Sequence, residues 1–238
     1  MARITHTSPS SPAAGRWRTR PYAFSPFLPA GDRRLFPWIP ALERNWRRIR
    51  EEMEALGEEG FLRWPTRSGY TGTWKVFPLY ARGVRLGQPE RLCPLTVGLL
   101  RSVPGLQHAG FSRLLPGTHI EPHRGFSNVV LRYHLALDVP AGCGFRIGGR
   151  ERHWREGESW VFDDTCLHEA WNVGSRPRTV LLLDFLRPLS QSPHPARLLL
   201  KRLLYQHRMR RSIIGQARRI LAEAGGLEDI DPDRITPP

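Results

Sequence analysis

From Trp74 to Phe185 the apolar residues come in short runs that Gly and Pro keep interrupting. Runs of this length, closed by turn residues, suit strands that reverse on themselves rather than long helices. The expected strands are Trp74–Tyr80, Gly110–Leu115, Asn128–Leu137, Gly144–Ile147, Ser159–Phe162, His168–Asn172 and Thr179–Phe185, with a helix from Cys93 to Val103 ahead of Pro104. The reading is a mainly β chain, an antiparallel sandwich or barrel.

Two flanks differ from this body. Met1 to Trp17 is rich in Ser, Pro and Thr and has no apolar h-region, so it reads as a disordered arm of about 20 residues rather than a secretory signal. The segment YAFSPFLPAGDRRLFPWIP is expected to lie extended over the core, because its prolines block regular pairing. Pro40 to Leu56 reads as one helix, since Leu42, Trp46, Ile49, Met53 and Leu56 recur at three and four; Gly57 is its stop. Beyond Pro188, Pro195 to Ala224 reads as a helix mixing leucine with Arg197, Lys201, Arg202 and further arginines. The expected organisation is an arm over 1–20, one domain over 21–190 with an N-terminal helical segment, and a basic helical extension over 191–238.

Charge narrows the partners. With 36 Lys+Arg against 22 Asp+Glu the chain carries a formal +14, which attracts anions such as nucleic acid, acidic substrates or an anionic membrane surface. No nucleic-acid module is recognisable, so nucleic acid is not the expected partner. The basic C-terminal helix suits an anionic membrane surface. Three cysteines with no C-x-x-C pair argue against a structural zinc site and a disulfide scaffold, and fit a reducing cytoplasm, where the basic helix suits a peripheral position at the inner face of the membrane. The sequence does not set the oligomeric state.

The chemistry concentrates in FSRLLPGTHIEPHRGFSNVVLRYHLALDVP and WREGESWVFDDTCLHEAWNVGSRPRTVLLLDFLRP. His119, His123 and His134 lie near strand ends in the first stretch, and His168 follows the acidic turn FDD in the second. Strand ends that meet could place two imidazoles on one metal, a donor set that suits Fe(II) with open positions. A facial triad would put a carboxylate two residues after the first histidine; that position is Gly125. Either water takes the place or His123 is not a ligand, and Glu121, Asp163 and Asp164 are the nearby carboxylates.

These stretches resemble the aspartyl/asparaginyl β-hydroxylase family of 2-oxoglutarate dioxygenases, on PGTH with His123 and Gly125, on RYHLAL, and on FDDTCLHEAWN with the later Arg178. The resemblance implies a double-stranded β-helix (a jelly roll, cupin-like) and an Fe(II)- and 2-oxoglutarate-dependent hydroxylase. By resemblance His123 and His168 are the iron ligands, Gly125 stands where a third protein ligand is missing, and Arg178 grips the distal carboxylate of 2-oxoglutarate. Ser112, Arg132 and His134 are implied as further co-substrate contacts. The implied substrate is an Asp or Asn side chain in a peptide or amino acid, or, as in some relatives, a lipid A acyl chain. A cupin-like binding protein without catalysis is the reading from another class.

Overall fold

Strand geometry decides which residues face the site. The structure is a computed structural model and describes residues 26–28, 34–64, 69–81, 84–85 and 87–205. The arm expected over 1–20 and the part of the C-terminal helix after residue 205 lie outside these. In chain order the elements are β1 (Phe27–Leu28), α1 (Ile39–Arg44), α2 (Trp46–Ala55), β2 (Leu62–Arg63), β3 (Tyr70–Thr71), β4 (Trp74–Ala81) and β5 (Val84–Arg85). Then come α3 (Gly87–Leu92), α4 (Pro94–Leu100), β6 (Leu106–Leu114), β7 (Thr118–His123) and β8 (Val130–Asp138). β9 (Cys143–Ile147), β10 (Arg150–Arg152), β11 (Ser159–Phe162), β12 (His168–Asn172) and β13 (Arg178–Leu186) complete the strands. Residues 195–205 are helical.

The strands form two antiparallel sheets. The larger runs β1-β11-β8-β13-β6-β4-β2, with β5 beside β4; the smaller runs β10-β9-β12-β7-β3. This is the expected mainly β, jelly-roll-like arrangement. β13 is paired on both sides, to β6 and to β8, and side chains alternate along it. Its register with β8 sets Leu182 opposite His134 and Asp184 opposite Arg132; its register with β6 sets Arg178 opposite Leu114 and Val180 opposite Ser112. One face of the large sheet therefore carries Ser112, Arg132, His134, Arg178 and Asp184.

Each face of that sheet has its own core. The inner face packs Leu114, Ala136, Trp160, Phe162 and Val180 against Ile120, Phe145, Ile147 and Ala170 of the small sheet. The outer face buries Phe111, Leu131, Tyr133, Leu135, Leu181, Leu183 and Phe185 under Leu42, Ile49 and Met53 of the helices. Glu52 of α2 ties α4 down by accepting from the backbone N–H groups of Leu95 and Thr96 at 2.8 and 2.9 Å. None of the three cysteines is paired in a disulfide and all are buried, and among the described residues no helix is long and apolar enough to cross a membrane.

Three local expectations are corrected. The helix read over Pro40–Leu56 is two helices broken at Asn45, whose side-chain amide donates to the Ala41 carbonyl at 2.8 Å and whose backbone turns to φ −100°, ψ 11°; a short amide that bonds the local backbone competes with helix continuation. The Cys93–Val103 helix is the shorter α4, preceded by α3. The proline-rich segment does not simply cover the surface. Phe36 and Trp38 are wholly or almost wholly buried, edge-on to Phe185, and β1 pairs with β11. Replacing Ile49 by Ala should lower the unfolding free energy by about 2–5 kcal/mol in urea denaturation, whereas Leu92→Ala on exposed α3 should stay within about 0.5 kcal/mol.

Candidate metal centre

The pairing of β7 with β12 sets His123 directly opposite His168, and Ile147 of β9 lies opposite His168 on its other side. Both imidazoles thus share the inner face of the small sheet. Their ring centroids are 4.1 Å apart. His123 Nδ1 donates to the Glu121 carbonyl at 2.7 Å, and His168 Nδ1 donates to the Cys166 carbonyl at 2.8 Å. A carbonyl only accepts, so each ring is fixed with its proton on Nδ1 and its lone pair on Nε2, the form that binds a metal. Burial, reinforced at His168 by the neighbouring His123, lowers both pKa values, that of His168 to about 3. The pair is therefore neutral at pH 7 and ready to ligate.

Among the described residues no group of three His, Cys, Asp or Glu side chains is clustered as a metal site. The reason at position 125 is steric. A Cβ on Gly125 would lie 2.2 Å from Asp164 Oδ1, while the Gly125 N–H donates to the Asp164 carbonyl at 2.8 Å. The Asp164 carboxylate stands where a side chain at 125 would begin. Burial raises its pKa to about 6 against the opposing pull of Arg132, 3.4 Å away, and its Oδ1 has no partner. Of the other nearby carboxylates, Glu121 is exposed, and Asp163 accepts from the Thr165 N–H and hydroxyl, which shapes the turn before His168.

Two arginines on the inner face of the large sheet meet opposite fates. Arg132 is held by Asp184 through Nε at 2.7 Å and a second nitrogen at 3.1 Å. Burial alone would raise the Asp184 pKa, yet Arg132 and His108 hold it well below the carboxylate range. Arg178 is 1% exposed and has no carboxylate partner among the described residues. Its guanidinium lies 4.2 Å from the Trp154 ring, its Nε donates to nothing, and burial lowers its pKa to about 10. Among the described residues both nitrogens of buried His134 and the Trp154 indole N–H also lack partners. Buried polar groups left this way are costly unless something joins them. What they would accept is an anion with planar oxygens, such as a carboxylate.

Most of the expected site comes together here. His123, His168, His134 and Arg178 do so, with Phe145 and Phe162 in ring contact with both His134 and His168. Ser112 lies two positions along from Arg178 on the same face, and its Oγ accepts from Trp74 Nε1 at 3.0 Å. Arg132 reaches the site already paired to Asp184. His119 stands apart, bonded to Glu169 at 2.7 Å. Trp154 and Asp184 were not among the expected contacts. Asp184 is legible only once its register with Arg132 is known, and a tryptophan gives no sequence signal for covering an arginine.

The family model described as Aspartyl/Asparaginyl beta-hydroxylase matches residues 43–188, well over half of the chain. The chain belongs to that family. A Rhizobium tropici relative, the ornithine lipid ester-linked acyl 2-hydroxylase, is 38% identical over 71% of this chain and 63% of its own length. The human aspartyl/asparaginyl beta-hydroxylase is 34% identical over 63% of this chain and 21% of its own length. The chain thus spans less than two thirds of either relative. A solved Burkholderia pseudomallei structure described as an oxidoreductase of the 2OG-Fe(II) oxygenase family aligns with a TM-score of 0.43 at 16% identity, over 63% of this chain and 91% of that one.

Burying His134 neutral has a consequence for this family member's acid stability. Burial and the nearby arginines lower its folded-state pKa well below 6.5, so below pH 6.5 the unfolded chain binds a proton that the folded chain does not. Stability is then full above about pH 6.5 and falls with falling pH, by about 1.4 kcal/mol per unit for this one group. Urea titrations of chelator-treated protein between pH 7 and 4.5 should show that slope reduced by about this amount in His134→Asn; an unchanged slope would count against neutral burial.

Proposed function

We propose that this chain is an iron(II)- and 2-oxoglutarate-dependent hydroxylase acting on the acyl chain of a membrane lipid. The observation that carries the hydroxylase reading is the pairing of two neutral imidazoles with a fully buried guanidinium that no carboxylate of the described protein satisfies. That donor set fits the metal and the co-substrate together. His123 and His168 would hold iron through Nε2, the nitrogen each backbone carbonyl contact leaves free to ligate. Arg178 would take the distal carboxylate of 2-oxoglutarate as a bidentate partner, with Trp154 packed over the cation. His134 and the Ser112 hydroxyl offer donors along the same face. When bound, iron with 2-oxoglutarate and dioxygen supplies the oxidant that converts a C–H bond to C–OH, with succinate and carbon dioxide as co-products.

The protein's own residues then orient and exclude. Phe145, Phe162, Trp154 and Trp160 form an apolar wall around the imidazoles, which suits a hydrocarbon substrate and keeps water from the reacting bond. Arg132 is neutralised by Asp184 and Asp164 and so brings no net positive charge to the site. The acyl chain is favoured over an Asp or Asn side chain because the ornithine lipid acyl hydroxylase matches more of this chain than the human enzyme does. Incubation with iron, 2-oxoglutarate and either a bacterial lipid extract or Asp-bearing peptides, read as a one-oxygen mass gain, separates the two substrates. Absence of any 2-oxoglutarate turnover would favour a non-catalytic cupin-like binder.

Variants divide the roles. His123→Ala or His168→Ala should abolish succinate formation and iron binding with little change in melting, and His119→Ala should be milder. Arg178→Met should keep iron but raise the KM for 2-oxoglutarate at least about 30-fold, the equivalent of ~2 kcal/mol for a lost buried ion pair. Gly125→Asp should give no gain in turnover and a loss of stability, because the new side chain collides with Asp164. A rise in turnover for Gly125→Asp would overturn the two-histidine site.

A further inference from the structure

The helix at 195–205 turns its leucines the wrong way for a packing helix. Leu199, Leu200, Leu203 and Leu204 are 49–60% exposed, while Leu198 alone is buried. At about 100° per residue these four fall within one stripe of roughly 140°. Arg197 and Lys201 border that stripe, and Leu198, Arg202 and Tyr205 lie on the opposite side.

The protein-facing side is anchored beside the loop that leaves His123. Arg202 donates to the Arg187 carbonyl, Lys201 Nζ lies 3.4 Å from Asn128 Oδ1, and Tyr205 interacts electrostatically with Arg132. Asn128 belongs to the loop that leaves His123. The same loop carries Phe126, whose ring is fully exposed. One edge of the molecule thus joins the metal-ligand loop, a bare phenylalanine, a bare leucine stripe and flanking cations.

We infer that this edge docks on an anionic lipid bilayer. The leucines and Phe126 enter the acyl region, and Arg197 meets headgroup phosphates. The chain's formal +14 complements such a surface, and Arg208, Arg210 and Arg211 follow directly in the sequence. A soluble partner or a second copy would explain the leucines but not their joint placement with cations beside the loop that leaves His123. The inference deepens the acyl-lipid reading and rests on it for the choice of substrate, but vesicle binding tests it without any turnover.

Full-length protein is mixed with vesicles of phosphatidylcholine, with and without phosphatidylglycerol, at low and high salt, and sedimented. The expected result is binding to the anionic vesicles, weakened by salt, and lowered about tenfold or more in Leu199→Ser/Leu203→Ser with unchanged melting and unchanged lipid-free 2-oxoglutarate turnover. A fluorophore on Leu203→Cys, selective because the native cysteines are buried, should report water in solution and an apolar setting on anionic vesicles. The inference is overturned by full-length protein that ignores anionic vesicles, by serine variants that bind as well as the parent, or by a dimer that the serine variants dissociate. A label already in an apolar setting without vesicles also overturns it, since the chain's own residues would then cover the stripe. Docking without acyl hydroxylation would sink the substrate reading alone; hydroxylation of detergent-dispersed lipid without docking would sink this one alone.

Discussion

The register of β13 between β6 and β8 governs the site. A slip of one residue would send Arg178 and Asp184 into the outer core among Leu42, Ile49 and Met53, and bring Leu181, Leu183 and Phe185 to the inner face. That outcome buries charge in hydrocarbon and leaves imidazoles facing leucines. The outer core therefore does more than stabilise the sheet. Its demand for Leu181, Leu183 and Phe185 locks the alternation that presents Arg178, Asp184 and, across the ladder, Arg132 and His134 to the other side.

Within that frame, two buried cations solve desolvation in different ways. Arg132 spends its charge on Asp184 and Asp164, so its position is fixed and its net field is small. Arg178 has no carboxylate partner among the described residues, and the Trp154 face lies over its charge. A cation buried without a counter-ion destabilises the ligand-free protein, and a carboxylate that arrives gains from the same absence of water. The wall of Phe145, Phe162 and Trp160 is what keeps that environment dry, so the aromatic packing and the charge belong to one design.

Much of this was legible in the sequence because alternation and turn residues carry it. Ser159–Phe162 and His168–Asn172 match their strands, and the ends of the other expected strands move by a few residues. The sequence pattern does not announce β7. Pro122 and two histidines break the apolar alternation of Thr118–His123, and the segment pairs because β12 and β3 flank it, a tertiary cause that no local pattern announces. Asn45 hid its helix break in the same way, since the apolar spacing runs through it. The resemblance, and not the spacing around Gly125, names the proposed ligand pair, and the reason for that glycine, the Asp164 carboxylate lying across the fold, needs the contact itself.

Arg187 links the regions that these arguments treat separately. Its N–H donates to the Val129 carbonyl at 2.8 Å and its Nε to the Asn128 carbonyl at 2.8 Å, while its guanidinium meets Asp163 at 2.5 Å. Its own carbonyl accepts from Arg202 of the outward-facing helix. Arg124 adds a bond to the Thr165 carbonyl at 2.8 Å. The loop after His123 and the turn before His168 are thus bound to each other and, through one residue, to the helix at 195–205. Each bond is modest alone, but together they leave neither histidine loop free to move without the other. If the proposed docking loads the exposed leucines, Arg187 is the residue through which that load would reach both loops beside the imidazole pair.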